Sequence, residues 1–219
     1  MTATRSAGPV LALDAMGVLY AAGDDVAELL VPFAVRSGST AGTAAIESAY
    51  LDASLGLIDA TTFWQRIGLD AGLEDEYLAG HRLIDGVHEL LATATSVFSR
   101  VCCISNDVPR WSVKLRRSFG IEGLIAPWFI SGDLGVRKPD SDIYRQAITR
   151  LGVAAHHMIF VDDRVKNLDA ARHLGIRTVL FDPNGVGAGS AHQRIARLSD
   201  LPALIDTPDG RVPTLRPLT

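Results

Sequence analysis

Apolar residues gather in five short runs, each stopping on a polar side chain: Val10 to Asp14, Val101 to Ser105, Trp128 to Ser131, Met158 to Asp162 and Thr178 to Asp182. Runs without polar alternation suit strands buried on both faces, as in a parallel sheet covered by helices. Helical segments separate the later runs. Ser141 to Leu151 follows Pro139, a residue favoured in a first helical turn. Arg164 to Leu174 sets Val165, Leu168, Ala171 and Leu174 mostly on one face and stops at Gly175, a helix-ending signal. This alternation predicts an α/β fold, a Rossmann-like doubly wound parallel sheet.

The runs end at positions 14, 105, 131, 162 and 182, so a first gap of 91 residues is followed by gaps of 26, 31 and 20. The later gaps fit single crossovers, whereas the first requires an insertion after strand one. That insertion, residues 20–83, reads as an all-helical cap domain, with residues 1–19 and 84–219 forming the core domain. Asp25 and Glu28 have the spacing of a capping box, opening a helix that ends near Ser37-Gly38. Ile46, Ala49, Tyr50 and Ala53 repeat at helical spacing, and Asp59 can cap a segment carrying Phe63, Trp64 and Ile67. Phe63 and Trp64 are expected in the cap's own core, and Trp111 on the sheet. An insertion after strand one overlies the carboxyl edge of the sheet, as a lid does. The tail from Thr207, with three prolines, reads as extended.

A hydrophobic content of 47% supplies a sizeable core, and a formal charge of −4 leaves no broad basic face for nucleic acid. No apolar segment is long enough to cross a bilayer, and the run at Val10 to Leu13 is too short for a signal peptide, so a cytoplasmic protein is expected. Cys102 and Cys103 are neighbours in a strand and point to opposite faces, which predicts unpaired core thiols. Gly185, Gly187 and Gly189 follow the last run instead of opening a first βαβ unit, so they read as a loop and not a dinucleotide site.

Four polar clusters stand at run ends: Asp14, Ser105-Asn106, Arg137-Lys138 and Asp162-Asp163. In a parallel sheet these converge at one edge, where open α/β sheets bind ligands. Carboxylates drawn together repel unless a cation holds them. Hard oxygen donors without His or Cys favour Mg²⁺ over zinc. With a hydroxyl, an amide and a lysine beside them, they form a site able to hold a tetrahedral oxyanion for phosphoryl transfer, with Asp14 available as nucleophile.

The pieces Asp14-Ala-Met16-Gly-Val-Leu19, Ile104-Ser105-Asn106, Gly135-Val-Arg-Lys138-Pro139-Asp140 and Phe160-Val-Asp162-Asp163 through Asn167 to Ala171, in this order and spacing, resemble the haloacid dehalogenase-like (HAD) hydrolase superfamily. The resemblance covers roughly residues 9 to 205 and includes members with a helical cap after the first strand. It implies Asp14 as nucleophile, Ser105 in contact with the transferring group, Lys138 as charge neutraliser, and Mg²⁺ held by Asp14, by Asp163 with Asp162, and by the Met16 carbonyl. Asn106 and Met16 are then expected to face a small phosphorylated substrate, with Asn167 behind the site.

Family phosphatases usually carry a second aspartate where this chain has Met16, and a thioether cannot transfer protons. Losing that acid/base costs about 10²–10⁴-fold in rate. Asp24, Asp25, His81 and Asp85 are the cap residues able to replace it. Two alternatives follow from Met16: a 2-haloacid dehalogenase-like carbon–halogen hydrolase, which Ser105-Asn106, Lys138 and Tyr144 resemble, and a catalytically impaired phosphate-ligand binding protein. A Schiff-base branch of the family is excluded, because Lys114, Lys138 and Lys166 all lie outside the insertion.

Overall fold

A computed structural model describes residues 8–187 and 189–204 of the 219. Its sheet has six parallel strands, β1 (Val10–Leu13), β2 (Arg100–Ser105), β3 (Trp128–Ile130), β4 (Met158–Asp162), β5 (Arg177–Phe181) and β6 (Gln193–Ile195), in the order β3-β2-β1-β4-β5-β6. The α/β Rossmann-like expectation therefore holds, with β1 at the point where strand order reverses: Leu11 pairs with Val101 on one side and Ile159 on the other. The sequence reading missed β6, a short edge strand whose Gln and Arg give no apolar run. It also carried β3 one residue too far, since Ser131 begins a short helix and turns its hydroxyl to the Ser54 carbonyl at 2.5 Å. The tail predicted from Thr207 lies outside the described residues.

Strand alternation sorts the core into two layers. Leu11, Leu13 and Cys103 face one apolar cluster, whereas Val10, Ala12 and Cys102 face the other, so the two buried thiols sit on opposite sides of β2. On one side Ile143, Tyr144 and Ala147 of a helix at Ser141–Leu151, and Leu168 and Ala171 of one at Val165–His173, cover the sheet. Val165, predicted on that apolar face, is 39% exposed at the first residue of its helix. The glycine loop after β5 is used internally: the amides of Val186 and Gly187 donate to the Asp182 carboxylate at 2.8 and 2.9 Å.

Between β1 and the helix Val87–Ala94 the chain is helical, with a π-helical turn Val26–Leu30, then α1 (Val31–Arg36), α2 (Thr43–Ser54), α3 (Ala60–Arg66) and α4 (Glu74–Leu78). It leaves and returns side by side, with Ala21 N donating to Arg82 O at 2.9 Å and Ile84 N to Leu19 O at 2.8 Å. Ile46, Ala49, Tyr50 and Ala53 are all buried, and Asp59 caps α3 by accepting from Thr62 N. The capping box is displaced by one residue. Asp24 accepts from Ala27 N at 3.2 Å and donates its own N–H to Glu28 at 2.8 Å, because the Asp25 carboxylate is turned inward to accept from the Tyr77 hydroxyl at 3.3 Å.

These helices share one apolar cluster with the sheet face beneath them. Trp111, on the helix Pro109–Ser118, packs on the aromatic rings of Tyr50, Phe63, Trp64 and Tyr77 of the insertion. The reason is Glu74, 1% exposed, whose carboxylate accepts from the Trp64 and Trp111 indoles at 3.3 and 2.9 Å and from Arg110 Nε at 2.7 Å. Lys114 Nζ also lies 2.7 Å from it. Replacing Glu74 by Ala strands two buried indole N–H groups, so Glu74→Ala is expected to lower the unfolding free energy in urea by about 2–4 kcal/mol; a loss below about 1 kcal/mol would contradict this reading of the contact.

Candidate active site

The first functional group stands just past β1. Asp14, 5% exposed, anchors its amide on Val161 O at 2.9 Å, and its Oδ1 accepts from Ala15 N at 2.6 Å. The following turn closes when the Leu19 and Tyr20 amides both donate to Ala15 O at 2.8 Å. Gly17 has φ +79°, and a Cβ there would run into the Asp163 carboxylate. The turn thus seats a second acid against the first.

Three strands bring the rest of the cluster to this edge. Lys138 Nζ lies 2.6 Å from Asp14 Oδ1 and 2.8 Å from Asp162 Oδ2. Asn106, one residue beyond β2, fixes the lysine's backbone from both sides: its Oδ1 accepts from Lys138 N at 2.8 Å, and its Nδ2 donates to Lys138 O at 2.9 Å. Carboxylate oxygens of Asp14, Asp162 and Asp163 all fall within 4.8 Å of one another.

The two adjacent acids differ in what they touch. Asp162 is fully buried and accepts from Arg164 N at 2.8 Å, from Asn167 Nδ2 at 3.1 and 3.0 Å, and from Lys138. Asn167 is itself held by Tyr144, whose hydroxyl donates to its carbonyl at 2.9 Å. Asp163 Oδ1 is buried and has no hydrogen-bond partner among the described residues.

Electrostatics follow from this crowding. Burial, then the charges of Asp162 and Asp163, raise the Asp14 carboxyl well above the ordinary aspartate value against the opposing pull of Lys138. Burial and Asp162 push Asp163 up to about 6. Burial alone would depress Lys138, but the Asp14 and Asp162 carboxylates outweigh it and hold the ammonium above its usual pKa. Three carboxylates against one ammonium leave two formal negative charges uncompensated at the edge, the charge of one divalent cation.

A cavity of about 130 Å³ opens on Asp14 and is lined by Met16, Asn106, Lys138 and Asn167 together with Asp25, Tyr50, Arg137 and Arg164, among others. Of the residues singled out from sequence, Asp14, Met16, Asn106, Lys138 and Asn167 meet there. Ser105 is fully buried behind it, and its hydroxyl has no partner among the described residues. Asn106 reaches the cavity, but both ends of its amide are committed to Lys138. The flanking hydrogen bonds at Met16 are made by Ala15 and Gly17, so its carbonyl takes no part in that turn. Sequence reasoning assigned no role to Tyr50, whose hydroxyl donates to Asn106 O at 3.2 Å, because its spacing reads only as a helix core position. Arg137, with its guanidinium 5.4 Å over the Tyr50 ring, stood beside Lys138 in the same cluster and could have been found there.

Asp107 stands two residues beyond β2. It is 1% exposed; Oδ1 accepts from Val108 N at 2.7 Å, while Oδ2 has no partner among the described residues. Burial, then the Asp25 charge, raise its pKa well above the ordinary value.

Comparison with known proteins agrees with this fold. A family model described as haloacid dehalogenase-like hydrolase matches residues 10–175. Flavin mononucleotide hydrolase 1, a chloroplastic protein of Arabidopsis thaliana, is 27% identical over 139 residues, which cover 61% of this chain and 56% of that protein. The chain spans about half or less of the length of the curated relatives it matches. Among solved structures, a HAD phosphatase from Thermococcus onnurineus superposes with a TM-score of 0.69 at 18% identity, covering 90% of this chain and 98% of that one. The magnesium-bound HAD-hydrolase YfnB of Bacillus subtilis does so with a TM-score of 0.67 at 17% identity, covering 92% and 100%. No helix among the described residues is long and apolar enough to cross a membrane.

A carboxyl whose pKa is raised on folding stabilises the fold when protonated, and that contribution is lost as pH climbs through the folded value. Asp107→Asn keeps the acceptor for Val108 N and cannot ionise, so its thermal-stability advantage over the parent chain should widen as pH rises above about 4, the ordinary aspartate range. A constant or shrinking difference in Tm above that pH would contradict the assignment.

Proposed function

The chain belongs to the haloacid dehalogenase-like hydrolase family, and on that premise we propose that it is a Mg²⁺-dependent phosphatase acting on a small phosphorylated metabolite through Asp14. One observation carries the reading: Asp163 presents a buried, unpartnered oxygen beside Asp14 at an edge with two uncompensated charges. Carbon–halogen hydrolysis, the dehalogenase alternative, has no use for that oxygen. Curated relatives named for flavin mononucleotide hydrolysis and enolase-phosphatase activity support the reading, while solved structures of the same fold include both a phosphatase and a 2-haloacid dehalogenase.

In this reading Asp14, Asp163 and the Met16 carbonyl hold the ion, while Asp162, its oxygens already engaged, aligns Lys138 and Asn167 instead of binding metal. The fit rests on the donor set, all hard oxygen, and on Gly17 and Gly23, where any Cβ would press on the Asp163 carboxylate. When bound, the ion neutralises charge on the transferring phosphoryl group. Asp14 attacks phosphorus, forming an aspartyl phosphate, with Lys138 beside it to offset the charge. Residues 20–83 serve as the helical cap of the site, contributing Asp25 and Tyr50 to its walls.

Phosphate release from small phosphomonoesters should require Mg²⁺ and vanish in Asp14→Asn; undiminished release in that variant would remove Asp14 as nucleophile. Asp163→Asn should raise the Mg²⁺ concentration that half-saturates a thermal-shift titration by about tenfold or more, in line with loss of a direct ligand. An unchanged midpoint would assign the ion elsewhere. Halide release insensitive to chelator, or Mg²⁺-assisted phosphate binding with no turnover, would establish the alternatives instead.

A further inference from the structure

Met16 lines the cavity where family phosphatases carry their proton-transferring aspartate, and four acidic or imidazole groups of the neighbouring chain were open as substitutes. Their positions separate them. His81 is buried with its Nδ1 3.2 Å from Leu78 O and its ring edge-on to Tyr20 and Tyr77, and it does not line the cavity. Asp85 is exposed and lines a different groove, one it shares with Asp163 and Arg197. Asp24 lines the cavity, but its carboxylate is largely exposed, accepts from Ala27 N and lies 4.0 Å from Arg164. Asp25 is 5% exposed, lines the same cavity as Asp14 and Met16, and has no ion-pair partner within 4.0 Å among the described residues.

We propose that Asp25 is the catalytic proton donor and acceptor of this site, standing in from the cap for the aspartate that Met16 replaces; the assignment rests on the phosphatase reading of Asp14. Tyr77 Oη, from α4, holds its Oδ2 at 3.3 Å without neutralising it. The groups that face it from other elements are Tyr50 of α2, Asp107 beyond β2, Arg137 before Lys138 and Arg164 after β4, with Asp24 on its own turn. Burial is the largest influence on it and pushes the carboxyl up to about 6, against the Tyr77 hydrogen bond and the two arginines. A carboxyl of that strength gives and takes a proton readily near neutrality.

The steps balance as follows. Asp14 Oδ forms a bond to phosphorus as the P–O bond to the leaving group breaks; the departing oxygen keeps the electron pair and takes the Asp25 proton, yielding an alcohol. The Asp25 carboxylate then accepts a proton from water as that water's oxygen attacks phosphorus and the P–O bond to Asp14 breaks, its electron pair returning to the Asp14 carboxylate. Inorganic phosphate leaves, and Asp14 and protonated Asp25 are regenerated.

Asp25→Asn tests this with two esters under saturating Mg²⁺. For an alkyl phosphate, kcat/KM should fall by about 10²–10⁴-fold. For p-nitrophenyl phosphate, whose leaving group departs unprotonated, kcat/KM should change by less than about tenfold, with a burst of nitrophenolate as aspartyl phosphate accumulates. Adding Met16→Asp to Asp25→Asn should restore alkyl-ester turnover, and Tyr77→Phe should move the pH profile of the parent activity to higher pH. Equal losses on both esters, or no loss on either, would overturn the Asp25 assignment alone. A parent chain that hydrolyses neither ester with Mg²⁺ would overturn the phosphatase reading and this assignment together.

Discussion

Like charges gathered at one sheet edge govern this molecule. Asp14, Asp162 and Asp163 approach within 4.8 Å of one another, and Lys138 supplies one opposing charge from inside the same cluster. Repulsion of this kind is tolerated only where surrounding groups over-determine the geometry. Here Asn106 clamps the lysine backbone, Asn167 and the Arg164 amide hold Asp162, and a glycine turn seats Asp163. What those contacts leave is a buried Asp163 oxygen without a partner among the described residues and two uncompensated formal charges, the features on which the proposed cation site rests.

The fold delivers this cluster through strand order. Because β1 lies between β2 and β4, its end stands where connections diverge to opposite faces, the place where open α/β sheets leave a crevice. Residues of the inserted helices line that crevice and share one apolar cluster with the sheet; the aromatic set around Trp111 and the buried Glu74 join the two. That continuity explains why Asp25 and Tyr50, distant in sequence from every strand end, are held against the cavity.

Much of this was legible in the chain itself, for physical reasons. Doubly buried strands must be apolar throughout, so five of the six announced themselves, and their ends located Asp14 and the 162–163 pair, with Lys138 in the segment after β3. Other features depend on contacts that no local pattern carries. β6 lies at an edge and needs no apolar run. The capping box shifted to Asp24 because the hydroxyl of Tyr77, 52 residues away, turns Asp25 inward. Trp111 faces the insertion because Glu74 accepts from its indole. The different contacts of Asp162 and Asp163 were invisible because they are set by Lys138, Asn167 and Gly17, which only the folded chain brings to them.

The central claim is that one divalent ion completes this charge cluster through Asp14 and Asp163. Anomalous diffraction from crystals of the protein soaked in Mn²⁺ tests it most directly. A single strong peak bonded to carboxylate oxygens of Asp14 and Asp163, with Lys138 still on Asp162, is the predicted result. A peak on Asp162, or no peak near these residues at saturating Mn²⁺, would contradict it.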